Sequence, residues 1–295
     1  MKRVPFKGSA VAIVTPMNED FSINYNKLGQ LIDWQIEQGT DCILVCGTTG
    51  ESTVMTDEEH VECIRYAVEK TAGRVPVMAG CGSNDTAYAI WLSKESKAIG
   101  ADSLLHVTPY YNKTSQKGLV AHFNAIADAT DLPVVLYNVP SRTGLNIQPQ
   151  TYAELCKHPN IVATKEANND IAAICKTISL CRGDLIFYSG NDDQIVPILS
   201  MGGLGVISVM ANIIPKETHA LTQTFFNGDL AGAAKMQADV MGLVSALFCD
   251  VNPIPVKEAL NLMGQNAGPC RLPLVEMSDA GLAQLKSELK KFNLI

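Results

Sequence analysis

The sequence of 295 residues lacks an apolar run long enough to cross a bilayer. The best candidate, residues 201–215, is short and is interrupted by Asn212. A signal peptide needs an apolar core after its basic start, and Pro5, Lys7 and Gly8 interrupt that core here. We therefore expect a cytoplasmic protein that does not bind membranes.

An excess of positive charge is also absent. The chain has 23 Lys and Arg residues against 30 Asp and Glu residues, which gives a formal net charge of −7. Nucleic-acid binding requires a dense cationic surface, so we do not expect a nucleic-acid partner. A small anionic substrate would need local cations that act against the overall sign of the charge.

Sequence patterns for metal binding and for disulfides are missing as well. Nine cysteines are scattered without any Cys-x-x-Cys pair, and the five histidines form no His-x-His or His-Glu-x-x-His motif. Cys42 and Cys46 lie on or beside an apolar strand. We therefore predict buried, reduced thiols and neither a metal site nor a cofactor.

What the sequence does contain is a strand followed by a helix, repeated eight times within residues 1–226. The predicted strands are residues 10–14, 42–45, 75–79, 103–107, 133–137, 161–164, 185–188 and 205–208. This α/β pattern predicts a (β/α)8 TIM barrel. An open doubly wound sheet is the alternative, but it more often has a Gly-rich dinucleotide loop after its first strand, where this chain has Thr15-Pro16-Met17.

Residues 227–295 show only helical periodicity. Residues 231–248 and 278–292 have apolar side chains at helical spacing, and Pro255 is typical of a helix start. We interpret residues 1–226 as the catalytic barrel and residues 227–295 as a C-terminal helical appendage that packs on it. Asn24 is a predicted helix cap, and Thr56 with Glu59 forms a predicted capping box.

Lys165 follows the apolar run of residues 161–164, at the point where we expect that strand to leave its sheet. Alone, such a lysine is more typical of a surface residue that keeps its amine in water. In a (β/α)8 barrel, however, the chemistry takes place at the carboxyl ends of the strands. Most of the residues at or just after those ends have polar side chains, and the set is Thr48, Thr49, Tyr110, Tyr111, Tyr137, Arg142, Lys165, Gly190 and Asn191.

These residue types suit covalent catalysis by an amine. A neutral Lys165 can attack a carbonyl and form a Schiff base, and burial near Arg142 would lower the pKa of its amine. Tyr137 can move the protons that this reaction requires, with Thr48 bonded to its phenol. Thr49 can hold one carboxylate and Arg142 another. Each residue alone also has an ordinary structural explanation, such as turn formation or a solvated loop.

Four motifs carry a resemblance to one family over essentially the whole chain. They are Gly-Thr-Thr-Gly-Glu-Ser at residues 47–52, Tyr-Asn-Val-Pro-Ser-Arg-Thr-Gly at 137–144, Lys-Glu-Ala at 165–167 and Ser-Gly-Asn-Asp at 189–192. In order and approximate spacing the chain resembles the 4-hydroxy-tetrahydrodipicolinate synthases, also called dihydrodipicolinate synthases. The resemblance implies a lyase of the class I aldolase type that condenses pyruvate with L-aspartate 4-semialdehyde, the first committed step toward diaminopimelate and lysine.

The resemblance also implies residue roles. Lys165 is the Schiff-base lysine, Tyr137 donates and accepts the proton, and Thr48 completes a proton relay with Tyr111 from a neighbouring subunit. The residues implied in substrate binding are Thr49, Arg142, Gly190 and Ile207. The family implies a homotetramer built as a dimer of dimers, without a metal or an organic cofactor.

Two alternatives stay open. The N-acetylneuraminate lyases and related pyruvate-dependent enzymes share the lysine and the tyrosine. They tend to have Gly-Ser-Thr-Gly-Glu in the first motif, and they usually lack the arginine at the position of Arg142. A non-catalytic barrel that binds a keto acid is the second alternative, and the intact set of Lys165, Tyr137 and Thr48 argues against it.

A possible effector site follows from the same resemblance, because feedback-sensitive members bind lysine at a subunit interface. The residues at matching positions are Ser52, His60, Asn84 and Tyr110. This chain has Asp57 where sensitive members often have histidine, and Tyr88 where they have a glutamate that binds the effector's ammonium group. A tyrosine cannot supply a full negative charge, so we predict weak or absent inhibition by lysine.

Overall fold

A closed barrel of eight parallel strands forms the centre of the computed structural model, which describes residues 2–295. Strands follow one another in chain order, and the last pairs with the first. They are β1 Gly8–Ala12, β2 Cys42–Val45, β3 Val77–Gly80, β4 Ser103–Val107, β5 Val134–Asn138, β6 Ile161–Glu166, β7 Ile186–Ser189 and β8 Gly205–Ser208. The predicted (β/α)8 barrel is therefore confirmed.

Helices surround this barrel and continue beyond it. Within residues 2–295 they are α1 Tyr25–Glu37, α2 Asp57–Thr71, α3 Thr86–Ile99, α4 Gln116–Asp128, α5 Pro140–Thr143, α6 Pro149–Leu155, α7 Ile171–Cys181, α8 Ile195–Ser200, α9 Pro215–Phe226, α10 Leu230–Asp239, α11 Met241–Leu247, α12 Ile254–Leu262 and α13 Asp279–Lys291. The predicted caps form: Asn24 accepts from the Lys27 amide, and Thr56 with Glu59 makes a reciprocal capping box.

The continuous apolar runs arise because each strand is buried on both faces. On β5, Val135 and Tyr137 belong to the cluster that fills the barrel interior, whereas Val134 and Leu136 belong to the layer between strands and helices. Side chains alternate between the two faces of a strand, so both faces of β5 are apolar. This alternation decides that Tyr137 points into the barrel.

Several predicted bounds were wrong by a few residues. β1 begins at Gly8 rather than residue 10 and ends at Ala12 rather than residue 14, because its pairing with β8 starts at Gly8 opposite Gly205. β3 covers Val77–Gly80 rather than residues 75–79. Glycines at the ends of strands carry no apolar side chain, so hydrophobicity alone does not mark them.

β6 also differs from its prediction, with a consequence for the site. We expected the strand to end at Thr164, with Lys165 just beyond it. The strand continues through Glu166, and Lys165 pairs in register with Tyr137 on one side and Tyr188 on the other. Lys165 is therefore held on both sides by the sheet rather than carried on a loop.

The region with helical spacing over residues 231–248 forms two helices. It is divided at Val240 into α10 and α11. α10 packs on α9, whereas α11 packs mainly on α13. Two packing partners in different directions require a change of axis, which the apolar spacing does not reveal.

The region after α9 contacts the barrel through charged groups. The Lys257 amine of α12 lies 2.8 Å from a carboxylate oxygen of Glu51, and both side chains are almost fully buried. Arg271 makes a bidentate contact with Glu59 at the start of α2. The C-terminal helices thus pack on the loop after β2, while the proposed division into two units at residue 226 stays a prediction.

The cysteines are all free thiols, as predicted. Six are buried, but Cys175 and Cys249 are exposed and Cys270 is half-buried, so the prediction of burial was wrong for these three. Within residues 2–295, no helix combines the length and the apolar character needed to cross a membrane. The same residues contain no cluster of three or more His, Cys, Asp or Glu side chains arranged to hold a metal ion.

Candidate active site

Lys165 and Tyr137 face each other inside the carboxyl end of the barrel. They are register partners on β6 and β5, and the Lys165 Nζ atom lies 4.4 Å from the centroid of the Tyr137 ring. Lys165 is only 5% exposed and Tyr137 only 7%. The structure therefore brings the predicted nucleophile and the predicted proton carrier into contact.

The amine of Lys165 has a lowered pKa. Burial lowers that pKa to about 8, the carboxylate of Asp192 opposes the shift, and the cation of Arg142 adds to it. At pH 8 about half of the amine is then neutral, against roughly 0.3% for a lysine with an ordinary pKa. A neutral amine is the form that attacks a carbonyl.

The phenol of Tyr137 stays protonated at neutral pH. Burial raises its pKa, and the charge of Glu166 adds to the rise. The cation of Arg142 and a hydrogen bond with the Thr48 side chain act in the opposite direction and lower the pKa of Tyr137. Thr48 and Tyr137 line the same cavity, and a protonated Tyr137 can donate a proton to a group beside Lys165.

The loop after β2 is joined to the loop after β5 through Asn252. The Asn252 side-chain amide donates to the Thr49 hydroxyl at 3.0 Å, and the Asn252 backbone carbonyl accepts from the Arg142 guanidinium at 3.3 Å. Asn252 precedes α12 in the C-terminal region, far from both partners in sequence. Sequence reasoning missed this residue, since no local pattern links residue 252 to residue 49.

A cavity of about 270 Å³ opens beside the Tyr137 ring. Thr48, Tyr137 and Arg142 line it, together with two residues of the predicted effector site, Ser52 and Tyr110. Lys165 is not among the lining residues. Its amine lies over the face of the Tyr137 ring. Tyr137 therefore both lines the cavity and contacts the Lys165 amine.

Gly190 directly follows β7, and Ile207 lies on β8. A Cβ atom at Gly190 would lie 2.9 Å from the Cβ of Ala167 and 3.1 Å from the Cγ of Lys165. The absence of a side chain at residue 190 thus leaves room for the lysine. Ile207 is fully buried on β8 and belongs to the cluster that fills the barrel interior.

Tyr111 is placed apart from this group. It is 93% exposed and its backbone has φ of 66°, a left-handed conformation that is uncommon for tyrosine. Tyr111 is not among the residues that line the cavity. A single chain therefore does not unite Tyr111 with Lys165 and Tyr137.

The residues of the predicted effector site are only partly together. Asn84 donates to the Tyr110 carbonyl at 3.1 Å, whereas His60 is buried with its Nε2 atom 2.8 Å from the Gly80 carbonyl. Burial lowers the pKa of His60. The two residues that depart from the sensitive pattern contact each other, since the Tyr88 hydroxyl donates to Asp57 at 2.8 Å.

Two buried carboxyl groups next to Lys165 had no role in the sequence analysis. Glu166 follows the lysine on β6, and Asp192 accepts from the backbone amides of Val209 and Met210 at 3.1 and 2.8 Å. Burial raises the pKa of both groups, that of Glu166 to about 7. An acid inside or directly after an apolar strand is unusual, and this was the feature that could have revealed them.

Comparisons with known proteins identify the family of this chain. The sequence pattern of the Dihydrodipicolinate synthetase family matches residues 5–292. The 4-hydroxy-tetrahydrodipicolinate synthase of Lachnoclostridium phytofermentans is 57% identical over 98% of this chain and 99% of its own length.

Two solved structures are similar throughout. Dihydrodipicolinate synthase from Acinetobacter baumannii, complexed with pyruvate, has a TM-score of 0.95 and 41% identity, and the match covers 98% of this chain and 99% of that one. The enzyme from Cyanidioschyzon merolae with lysine bound has a TM-score of 0.96 and 39% identity, over 99% and 100% of the two chains. The chain therefore belongs to the dihydrodipicolinate synthetase family.

Proposed function

We propose that this chain is a lyase that condenses pyruvate with L-aspartate 4-semialdehyde to 4-hydroxy-tetrahydrodipicolinate, in the pathway to diaminopimelate and lysine. The observation that carries the proposal is the Lys165 amine, buried in the barrel with a pKa lowered to about 8 and lying over the Tyr137 ring. The shared name of relatives that are 52–57% identical over nearly the whole chain supports the choice of substrates.

The chemistry begins at Lys165. Its neutral amine attacks the keto carbon of pyruvate, and the carbonyl oxygen takes up a proton to give a carbinolamine. Tyr137 donates a proton to the carbinolamine hydroxyl, water leaves, and the imine forms. Loss of a methyl proton then gives an enamine, whose carbon attacks the aldehyde of the second substrate. The amino group of the bound semialdehyde then attacks the imine carbon and displaces the Lys165 amine, which closes the ring of the product and returns the free lysine.

Substrate binding is assigned to the groups around this pair. We assign the pyruvate carboxylate to Thr49 and to the backbone near Gly190 and Ile207. Arg142 binds the carboxylate of the semialdehyde, because a guanidinium offers paired donors to a carboxylate. Asn252 holds both Thr49 and Arg142, so it fixes the separation of the two carboxylate sites.

We also propose that the site is shared between chains. Thr48 passes protons between Tyr137 and Tyr111, with Tyr111 supplied by a neighbouring chain of a homotetramer. The exposed, left-handed Tyr111 supports this role, since it extends away from its own barrel. A cytoplasmic location also remains a prediction from the sequence.

Reductive trapping tests the covalent step. Incubation with pyruvate and borohydride, followed by peptide mapping, should give one adduct per chain on the peptide that contains Lys165. Lys257 is the matched internal control, because it is equally buried but is paired with Glu51. A Lys165→Arg variant should form no adduct. An adduct on Lys257, or none on the wild-type chain, would contradict the proposal.

The second substrate needs a separate assay. The chain should turn over pyruvate with L-aspartate 4-semialdehyde and not with N-acetylmannosamine, the partner expected for the related lyases. The position of Arg142 beside the cavity favours the carboxylated substrate. Preferred use of N-acetylmannosamine would contradict the proposed second substrate and favour an N-acetylneuraminate lyase.

A further inference from the structure

A carboxyl group is buried directly behind the catalytic pair. Glu166 is 1% exposed and follows Lys165 on β6, with its side chain on the opposite face of the strand, toward α6. Within residues 2–295, no salt bridge reaches it. Burial of a carboxylate without a cation costs free energy of folding unless hydrogen bonds satisfy its oxygen atoms.

Three donors point at this carboxyl group. Its Oε1 atom accepts from the Asn138 side-chain amide at 2.9 Å and from the Asn168 backbone amide at 3.0 Å. Its Oε2 atom accepts from the Tyr152 hydroxyl at 2.8 Å, and that hydroxyl also lies 3.1 Å from Thr164. Both oxygens accept hydrogen bonds, which matches the ionised carboxylate that prevails above the Glu166 pKa of about 7, because a protonated carboxyl group must donate at one oxygen.

The partners of Glu166 are the neighbours of the catalytic residues. Asn138 directly follows Tyr137 on β5, and Asn138 pairs with Glu166 just as Tyr137 pairs with Lys165. The Glu166 carbonyl also accepts from the Gly190 amide at 2.7 Å. One side chain and its backbone therefore connect the ends of β5, β6 and β7, which carry the proposed site.

Asn138 is itself fixed from several sides. Its amide also donates to Asn146 at 2.7 Å, and its side-chain oxygen accepts from the Ile147 backbone amide at 3.1 Å. The bond between Asn138 and Glu166 thus joins a rigid loop after β5 to the strand of the lysine. Loss of that bond would let the two strand ends, and the contact between Lys165 and Tyr137, shift.

We propose that Glu166 is a positioning residue of the condensation, which aligns Lys165 with Tyr137 through Asn138. This inference rests on the proposed roles of Lys165 and Tyr137. It assigns no contact with substrate to Glu166, whose carboxyl lies outside the barrel interior.

Several titratable groups surround Glu166. Tyr152 on α6 contacts it directly, Tyr137 on β5 precedes its partner Asn138, and Lys165 precedes it on β6. Cys181 of α7 lies near Tyr152. The negative charge of Glu166 raises the pKa of Tyr137, so its removal should lower that pKa and shift the basic limb of the kcat profile to lower pH.

The main variant is Glu166→Gln, which keeps the shape and removes the charge. We expect kcat to fall by about tenfold or more, with little change in the KM for pyruvate, because alignment rather than binding is lost. The basic limb of the kcat profile should move to lower pH. Adduct formation on Lys165 after pyruvate and borohydride should persist.

Asp41→Asn is the matched control. Asp41 accepts from the Ser9 amide and the His219 ring at the opposite end of the barrel, so its loss of charge should change the melting temperature and not the pH profile. Tyr152→Phe is the second variant, should Glu166→Gln not fold. This variant removes one donor to the carboxylate, so the pKa of Glu166 should rise. The acid limb of the kcat profile should then move to higher pH.

The outcomes separate the two proposals. A wild-type chain without an adduct on Lys165 would contradict the proposed function itself. A normal adduct, with unchanged kcat and unchanged pH limbs in both Glu166→Gln and Tyr152→Phe, would overturn the role of Glu166 alone. The same loss in Asp41→Asn would also overturn it, because the effect would then be one of general stability.

Discussion

Two opposite charges flank the amine of Lys165, and they act on its pKa in opposite directions. Arg142 lowers that pKa, whereas Asp192 raises it. Burial is the largest cause of the shift, and the two neighbours adjust the value around it. The reactivity of the lysine is therefore set by its place in the barrel and tuned by two strand-end residues.

Imine formation should follow the neutral fraction of this amine. We expect its rate to rise with pH to a midpoint of about 8, the pKa of Lys165. Arg142→Gln removes a cation and should move the midpoint to higher pH, and Asp192→Asn removes an anion and should move it to lower pH. Stopped-flow measurement of imine formation with pyruvate tests this pair. Shifts in the same direction in both variants would contradict the assignment.

Gly190 acts through the space it leaves. Gly190→Ala would bring a methyl group to within about 3 Å of Lys165 and Ala167, so the lysine must move. We expect a loss of kcat of about tenfold, measured in steady state. Gly202→Ala is the control, since that position is open but has φ of 92°, and it should cost about 1 kcal/mol of stability without loss of kcat. Equal activity of both variants would show that the lysine tolerates the methyl group.

At the scale of elements, the ends of β5 and β6 form the centre of the site. Their register places Tyr137 opposite Lys165 on the inner face and Asn138 opposite Glu166 on the outer face. A one-residue slip would exchange these faces, so the pairing defines both the catalytic contact and its support. The bulge between Val134 and Val135 lies at the other end of the pair and leaves this register intact.

The first turns of α2 and α3 decide the prediction on lysine inhibition. Tyr88 donates its hydroxyl to Asp57, so the position where sensitive members have a glutamate carries a neutral, already bonded phenol. We expect a half-inhibitory lysine concentration above the sub-millimolar range in initial-rate assays. A sub-millimolar value would contradict this expectation.

A paired substitution sharpens that test. The double variant Asp57→His, Tyr88→Glu restores both residues of the sensitive pattern and should lower the half-inhibitory concentration by about tenfold, since a carboxylate can bind the ammonium group of lysine. Tyr88→Phe is the control, because it removes the bond to Asp57 without adding charge. Equal inhibition of the double variant and of Tyr88→Phe by lysine would show that residues 57 and 88 do not form the effector site.

At the scale of the whole molecule, the C-terminal helices complete a site that the barrel begins. Lys257 is buried against Glu51, and Asn252 contacts Thr49, so two residues from beyond the barrel contact the loop after β2. Burial of such an ion pair contributes little net stability, but loss of one partner would leave an unpaired buried charge. The appendage therefore holds the loop that carries Thr48 and Thr49.

Subunit mixing tests the proposed role of Tyr111. Tyr111→Phe and Lys165→Ala chains should each be impaired, and their mixture should regain about a quarter of wild-type activity, since half of random dimers are mixed and each has one intact site. The control mixes Tyr137→Phe with Lys165→Ala. Tyr137 and Lys165 belong to the same chain, so that mixture should regain nothing. Failure of the first mixture after verified subunit exchange would contradict a shared site.

The sequence by itself determined the barrel, most element positions and the family. Burial of every strand on both faces produces apolar runs, and polar residues at the strand ends of a barrel stand out against them. Local patterns were therefore sufficient to select Lys165, Tyr137 and Thr48 as candidates. The same logic failed at Gly8 and at Val240, where glycine pairing and a change of packing partner set the bounds.

Only the tertiary structure decided how these residues support one another. The contact of Asn252 with Thr49, the pairing of Lys257 with Glu51 and the bonds of Glu166 join residues that are distant in the chain or that lie on opposite faces of a strand. Hydrophobic periodicity records burial and not the identity of a partner. The pKa of Lys165 likewise depends on desolvation and on charges from other strands, which exist only once the barrel has closed.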